Sequence, residues 1–344
     1  MKYSIIVPVY NRPDEVDELL ESLCSQTLKG FEVVIVEDGS QKTCKDVCDK
    51  YADILDLHYY MKENSGPGQS RNYGVERAHG DYAIILDSDV VLPTTYLEAT
   101  DKSLTSHLSS LTSIVAWGGP DAAHPSFTPI QKAISYSMTS FFTTGGIRGG
   151  KAKLDKFYPR SFNMGIRRDV YQQLGGFSKM RFGEDIDFSY RIVEAGYQPR
   201  LFPDAWVFHK RRTDFRKFFR QVYNSGIARI NLEKLHPGTM KLVHLLPTVF
   251  TLGVIGMLLM SALSLLSPLT SHLSPLFLLP LLLYCMVIFI DSSFRNKSLY
   301  VGLLSIPAAF VQLMGYGFGF LESWWKRCVL KQDEFTAFEK NFYK

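Results

Sequence analysis

Tyr82-Ala83-Ile84-Ile85-Leu86-Asp87-Ser88-Asp89 is the stretch on which the reading of the fold turns. Ala83 to Leu86 form a short apolar run of strand character that passes straight into two carboxylates. Working back toward the start of the chain, the same arrangement recurs. Ser4–Tyr10 predicts a first buried strand, closed by the turn Asn11-Arg12-Pro13-Asp14, after which Val16, Leu19, Leu20 and Leu23 follow at helical spacing. Phe31–Val36 predicts a second strand that ends in Glu37-Asp38-Gly39-Ser40. A polar helix over Thr43–Tyr51 and a third strand over Leu57–Met61 come next. Asn64–Gly68 reads as a glycine- and proline-rich turn, and Ser70–Ala78 as a helix. Strand, helix, strand, helix predicts an α/β domain with a mostly parallel sheet covered on both faces. Ligands of such sheets bind beyond the carboxyl ends of the strands. Glu37, Asp38, Gly66–Gly68, Asp87 and Asp89 all fall there.

The rest of the chain differs in kind. Its 344 residues suit one large domain or two. Lys and Arg total 38 against 34 Asp and Glu, a formal charge of +4, which does not suggest a nucleic-acid partner. An apolar share of 46% excludes a disordered chain. The mean hydropathy of -0.02 averages two unlike halves. From Leu242 to Ile290, and again from Ser298 to Leu321, there is no Asp, Glu, Lys or Arg. A helix crosses a bilayer in about 20 residues. Spans are therefore expected near 242–266, 276–290 and 299–321, a multi-pass region over 241–325 followed by a tail over 326–344. Pro307, Gly315, Gly317 and Gly319 leave the last segment open between a full span and a broken, re-entrant one. Arg295 and Lys297 mark an inside loop, and Met1–Tyr10 lacks the pattern of a signal peptide. The expected location is thus a cytoplasmic (inner) membrane with the N-terminal domain in the cytoplasm. Cys24, Cys44, Cys48, Cys285 and Cys328 have no zinc-like spacing and read as reduced thiols. Over residues 210–240, Phe215, Phe218, Phe219, Val222 and Tyr223 recur at helical spacing among Lys210, Arg211, Arg212, Arg216, Lys217 and Arg220. That pattern predicts a basic amphipathic helix on membrane lipids, the alternative being a core-packed helix with a solvated basic face.

Asp87-Ser88-Asp89 carries the sharpest chemistry. Two carboxylates two residues apart at a strand end can lean toward one cation, and Mg2+ and Mn2+ favour such hard oxygen ligands. A plain turn is the alternative. Further along, Glu184 and Asp185 stand in the first turn of a helix, where the dipole favours negative charge, and Asp187 suits a cap. His209, at the end of Trp206–His209, is by itself more often a packing residue. Gly118-Gly119-Pro120 after the strand-like Ile114–Trp117 suits the border of a ligand site. The glycine-rich Thr143–Lys156 reads as a lid or as a surface loop.

Taken together, Ser4–Asn11, Val34–Ser40, Gly66–Asn72 and Leu86–Asp89, followed by Ser161–Arg168 and Phe182–Asp187, resemble the family 2 glycosyltransferases of GT-A fold. The resemblance covers about residues 2–230, implying a catalytic domain over 1–230 with a nucleotide-binding half over about 1–115 and an acceptor half over about 116–230. It implies that Pro8, Tyr10 and Asn11 line a base pocket and that Asp38 contacts the base, with Glu37 where Asp is commoner. It further implies that Arg71 lies near the nucleotide, Asp87 and Ser88 near the ribose, and Asp89 on Mn2+ or Mg2+, with His209 as a weak further metal ligand. Asp185, beside Glu184, corresponds to the catalytic base. The implied reaction is inverting transfer from a nucleotide diphosphate-sugar, a UDP-sugar by expectation, to a lipid-linked or nascent glycan acceptor in cell-surface polysaccharide synthesis. The Gln-x-x-Arg-Trp element of processive relatives is absent, because Val222-Tyr223-Asn224 follows Gln221. Two other readings stand beside this one: an inactive membrane-tethered nucleotide-sugar-binding scaffold, and a transporter component.

Overall fold

The computed structural model describes residues 2–106, 114–124, 126–145, 157–180, 182–210, 212–266 and 268–332. The chain divides into two compact units. The first holds residues up to 124 and 154–210, and the second holds 125–153 and 211–334. The sequence had suggested a single division near residue 230. Instead, the described residues 126–145 group with the apolar C-terminal part.

In chain order the first unit begins β1 (Tyr3–Val9), α1 (Pro13–Cys24), β2 (Glu32–Asp38), α2 (Lys45–Tyr51), β3 (Asp56–Lys62), α3 (Pro67–Arg77) and β4 (Tyr82–Leu86). It continues with β5 (Val90–Val91), α4 (Tyr96–Ser106), β6 (Ala116–Gly118) and β7 (Asp121–Ala122). Two helices of the second unit follow, α5 (Pro129–Thr139) and α6 (Phe141–Thr144). The chain then returns to the first unit with β8 (Asn163–Arg167), α7 (Arg168–Gln173), α8 (Glu184–Glu194), β9 (Arg200–Leu201) and β10 (Val207–His209). Among the described residues the main sheet runs β3-β2-β1-β4-β8-β6-β9, and a small sheet runs β5-β10-β7. The first four strands of the main sheet are parallel, whereas β8 is antiparallel to both β4 and β6. The α/β class with a mostly parallel sheet is therefore as expected.

Period-two alternation explains why those strands read as unbroken apolar runs. Ile5, Val7, Val33, Ile35, Ile84 and Leu86 enter a core shared with Val16, Leu19, Leu20 and Leu23 of α1. Ile6, Val34, Val36 and Ile85 enter the opposite core, shared with Val75 of α3 and with Phe188 and Ile192 of α8. Each such fully buried aliphatic side chain contributes about 1.5–3 kcal/mol. The same alternation sends Glu37 and Asp38 to opposite faces of the sheet. Helix α3 starts at Pro67, three residues before the expected Ser70, because proline is preorganised for the first helical turn. Its Gly74 lies so close to the sheet that a Cβ there would come within 2.6 Å of Ile6 Cγ2.

The second unit continues with α9 (Phe215–Leu235), α10 (Leu246–Ser264), α11 (Ser274–Asn296) and α12 (Leu299–Trp324). Segments 246–264, 271–296 and 299–329 are long and apolar enough to cross a membrane, with mean hydropathies of 2.0, 2.5 and 1.5. The broken reading of the last segment fails, since α12 is continuous through Pro307. Its glycines serve packing instead. A Cβ on Gly319 would stand 2.0 Å from Tyr223 O, and one on Gly226 would stand 2.2 Å from Tyr316 O. Small residues thus let α9 and α12 approach backbone to backbone. Phe218 and Val222 of α9 are buried with Ile134 and Met138 of α5. For those two residues the lipid-facing expectation gives way to a core-packed helix, while Arg216, Lys217 and Arg220 remain exposed. Of the expected lid, residues 146–156 lie outside the described residues.

Candidate active site at the carboxyl ends of the sheet

Every site residue named from the sequence lies in the first unit. Pro8 is buried near the end of β1, two residues past the last β1–β4 pair that precedes it, Ile6 with Ile85. A residue without an N–H is tolerated where the ladder on that side has ended. Tyr10 is half-buried and follows the strand. Asn11 adopts a left-handed conformation with φ 55°. From there its N–H donates to Ser40 Oγ at 2.8 Å, and its Oδ1 accepts from the N–H groups of Gln41 and Lys42 at 2.8 and 2.9 Å. Asn11 thus ties the β1–α1 loop to the loop after β2.

The two acids ending β2 do different jobs. Glu37 is fully buried on the α1 and α2 side. It accepts from Ser40 Oγ, from Cys44 N and Sγ at 2.8 and 3.0 Å, and from Tyr59 OH at 3.3 Å. It is a brace for the loop that follows the strand, and the Cys44 thiol lies in that brace as a free cysteine. Asp38, on the α3 side, accepts from Ser65 N and Gly66 N at 2.9 Å each and pairs with Lys62 Nζ. The backbone N–H groups ahead of α3, suited to an anion by the helix dipole, therefore receive the chain's own carboxylate.

Arg71 is the joint of the site. Its side chain is 5% exposed, with Nη2 2.9 Å from Asp87 Oδ1 and Nη1 3.0 Å from Glu184 Oε1. It also lies over the Phe177 ring, 5.2 Å from the centroid. Burial works against its charge, but Asp87 and Glu184 outweigh that and hold its pKa above the ordinary value. Gly68 permits this closeness, since a Cβ there would stand 3.3 Å from both Glu184 Cγ and Phe177 Cβ. One guanidinium thus joins the end of β4 to the first turn of α8.

Asp185, the next residue, is paired with Arg160 Nε at 2.6 Å, and its Oδ1 accepts from Ile186 N at 2.9 Å. Burial pushes its pKa up, yet Arg160 pulls harder and leaves it below the usual carboxylate range. Glu184 moves the other way, raised by burial and by the Asp185 charge beyond what Arg71 restores. Neighbouring carboxylates that shift in opposite directions are a mark of divided acid–base roles. Asp187 accepts from Ser178 Oγ at 2.8 Å and pairs with Arg191 at 2.8 Å, which gives it the structural place the sequence suggested.

Antiparallel pairing of β5 with β10 sets His209 opposite Val90, one residue past Asp89. Nε2 of His209 stands 3.3 Å from Asp89 Oδ1, and the ring stacks on Phe162 with centroids 5.0 Å apart. Asp87, Asp89 and His209 each offer a ligand atom, all within 4.8 Å of one another. Two carboxylates and an imidazole form a donor set that fits Mn2+ well and Mg2+ through its oxygens. Ser88, between the two acids, is buried. Arg12 Nη1 stands 2.5 Å from Asp89 Oδ2. At Gly119 a Cβ would clash with Ala205 O at 1.7 Å, so packing alone explains that glycine.

Sequence reasoning missed Arg12, Lys62 and Arg160, the cations that neutralise Asp89, Asp38 and Asp185. Arg12 was visible in the turn after β1, at the same rim as the acids. Arg160 stands one residue before the Ser161–Arg168 motif, and nothing in its local pattern marks it.

Residues 4–175 match the family model described as Glycosyl transferase family 2. Residues 155–290 match one described as Glycosyl transferase family group 2. An uncharacterized glycosyltransferase of Rickettsia felis is 40% identical over 88 residues, 26% of this chain and 15% of that protein. The pre-mycofactocin glycosyltransferase of Mycobacterium tuberculosis is 26% identical over 249 residues, 68% of this chain and 48% of that protein. The chain thus spans about half or less of the length of these relatives. The mannosyltransferase PcManGT from Pyrobaculum calidifontis, in complex with GDP-Man and Mn2+, superposes with a TM-score of 0.63 at 16% identity. That match covers 95% of this chain and 88% of the mannosyltransferase, and the likeness is one of fold.

Proposed function

The chain belongs to glycosyltransferase family 2, with a GT-A-like α/β domain, and from that premise we propose that it moves a sugar from a nucleoside diphosphate-sugar to an acceptor hydroxyl, inverting the anomeric carbon. The observation that carries this reading is the grouping of Asp87, Asp89 and His209 within 4.8 Å, one guanidinium away from the Glu184-Asp185 turn. Asp89 and Asp87, with His209, would hold a divalent cation, Mn2+ or Mg2+. When bound, it neutralises charge on the departing diphosphate.

The chain's own residues do the rest. Asp185 is ionised at neutral pH because Arg160 keeps its pKa low. It takes the proton from the acceptor hydroxyl as that oxygen bonds to the anomeric carbon, while the carbon–phosphate oxygen bond breaks and its electron pair leaves with the nucleoside diphosphate. Arg160 fixes the orientation of the Asp185 carboxylate. Arg71 and Arg12 supply permanent positive charge at the rim where the diphosphate sits. Pro8, Tyr10 and Asn11 border the base, and Asp38 shapes the loop beside it through Ser65 and Gly66. Glu37 braces β2 from the far side of the sheet and makes no base contact.

The apolar helices of the second unit support a membrane-associated acceptor, lipid-linked or nascent glycan, with the catalytic unit in the cytoplasm and the basic face of α9 near lipid headgroups. A UDP-sugar is the expected donor, although the structural relative is in complex with GDP-Man. The test is a panel of UDP- and GDP-sugars given to the purified full chain, with nucleoside diphosphate release measured before and after chelation. Release from one donor, stopped by EDTA and restored by Mn2+ or Mg2+, is the expected result. Release that ignores chelation contradicts the metal assignment.

A further inference from the structure

A second group of metal-ligating side chains lies at the opposite, amino-terminal end of the parallel strands. Glu32, His58 and His79 present ligand atoms within 4.8 Å of one another. Glu32 opens β2 and Asp38 closes it, so this group stands about 20 Å along the strand from the rim described above. Its members come from three separate pieces of chain: β2, β3 and the connection between α3 and β4.

The carboxylate of Glu32 is fully buried, and its two oxygens have separate partners. Oε1 accepts from Ser4 Oγ, from His79 N at 2.5 Å and from Gly80 N at 3.2 Å. Oε2 stands 3.0 Å from His79 Nδ1 and 3.6 Å from His58 Nε2. The latter nitrogen is also 3.2 Å from Asp56 Oδ1. Ligand atoms around a tetrahedral zinc ion, each about 2.0–2.1 Å from the metal, lie about 3.3 Å from one another. The three measured separations bracket that value. Strand register adds an electrostatic argument: β2 and β3 pair Glu32 with Asp56 directly. Acids set side by side repel unless a cation stands between them. Oε1 is held by the bonds from Ser4, His79 and Gly80, which leaves Oε2 turned toward the two imidazoles. Those same bonds are the outer contacts that orient a metal-ligating carboxylate. The side chain of His79 is 71% exposed and that of His58 37%, which leaves a path for an ion.

We infer that Glu32, His58 and His79, with Asp56 at the edge, form a structural zinc-binding site that clips β2 and β3 to the α3–β4 connection. The site is independent of the transfer reaction and of the metal that serves it. The test uses the full chain in detergent, stripped of metal, with Zn2+ titrated against a chromophoric chelator and thermal unfolding followed with and without Zn2+. The wild type is expected to take up one tight Zn2+ that raises its Tm. His58→Gln with His79→Gln should weaken that binding by about 100-fold or more, beyond what loss of an outer contact costs, and should abolish the rise in Tm. Asp89→Asn should keep both. Equal zinc affinity in the double-histidine variant overturns the proposal. So does a zinc-dependent Tm rise that disappears in Asp89→Asn and survives in the histidine variant. The Tm of the variants without zinc, compared with that of the metal-free wild type, shows that the fold itself is intact.

Discussion

The two ends of the parallel sheet carry carboxylate clusters of unequal size and different surroundings. At the carboxyl end Asp38, Asp87, Asp89, Glu184 and Asp185 face permanent cations: Lys62, Arg71, Arg12 and Arg160. At the amino end Glu32 and Asp56 face imidazoles. Guanidinium groups stay charged at every physiological pH, so the first cluster keeps its geometry and charge ready for an anionic ligand. Imidazole nitrogens are metal ligands, which fits the zinc proposed for the second cluster, as His209 beside Asp89 fits the divalent cation proposed for the first. On the two proposals, one fold would separate a site for transfer from a structural metal site by placing them at opposite strand ends.

The largest effect that would break this comparison lies at the carboxyl end. Asp185→Asn should lower the transfer rate about 100- to 10,000-fold, the usual worth of a general base, while donor affinity stays close to that of the wild type. Steady-state kinetics beside donor titration would show it, and an unimpaired rate would remove Asp185 from the role. Next comes Arg71→Ala. It strands Asp87 and Glu184 without their shared cation, and removing one partner of a buried pair costs about 3–5 kcal/mol. Denaturant unfolding of the detergent-solubilised chain should register most of that loss, and a change near zero would show that Arg71 is no joint.

Arg160→Gln is a sharper and smaller probe. Arg160 depresses the pKa of Asp185, so removing it should shift the acid limb of kcat/KM to higher pH. The sign for stability follows from the same shift. A carboxylate depressed in the folded state stabilises the fold above its unfolded pKa, and that contribution disappears as pH falls through the folded value. Glu184, raised by burial, has the opposite sign. An unchanged acid limb in Arg160→Gln would separate Arg160 from Asp185. The smallest effect belongs to the amino end. His79→Gln should leave the transfer rate at saturating Mn2+ within about twofold of the wild type, as expected for an exposed residue away from the chemistry.

Much of the first unit was legible because its strands are buried on both faces. Continuous runs such as Ile5–Val7 and Val33–Val36 permit few other readings, and the acids that end the strands stand out against them. The grouping of Asp87, Asp89 and Arg71 followed from motif order. What the sequence hid depended on long-range pairing. Arg160 meets Asp185 from 25 residues away, and His209, which the family resemblance did name as a weak metal ligand, reaches Asp89 through the pairing of β10 with β5. The start of α3 was misplaced because Gly66-Pro67-Gly68 has turn composition, although proline also suits a first helical turn. The two-sided character of α9 was read correctly. Its apolar partner was not, since Phe218 and Val222 meet α5 and α12 rather than lipid.

The central claim is that Asp87, Asp89 and His209 hold the divalent cation required for transfer. Mn2+ binding to the metal-stripped full chain, followed by electron paramagnetic resonance in the wild type and in Asp89→Asn, tests it most directly. A bound-ion signal in the wild type that strengthens with nucleoside diphosphate, and that is lost in Asp89→Asn together with transfer, is the expected result. Undiminished Mn2+ binding and turnover in Asp89→Asn would contradict it.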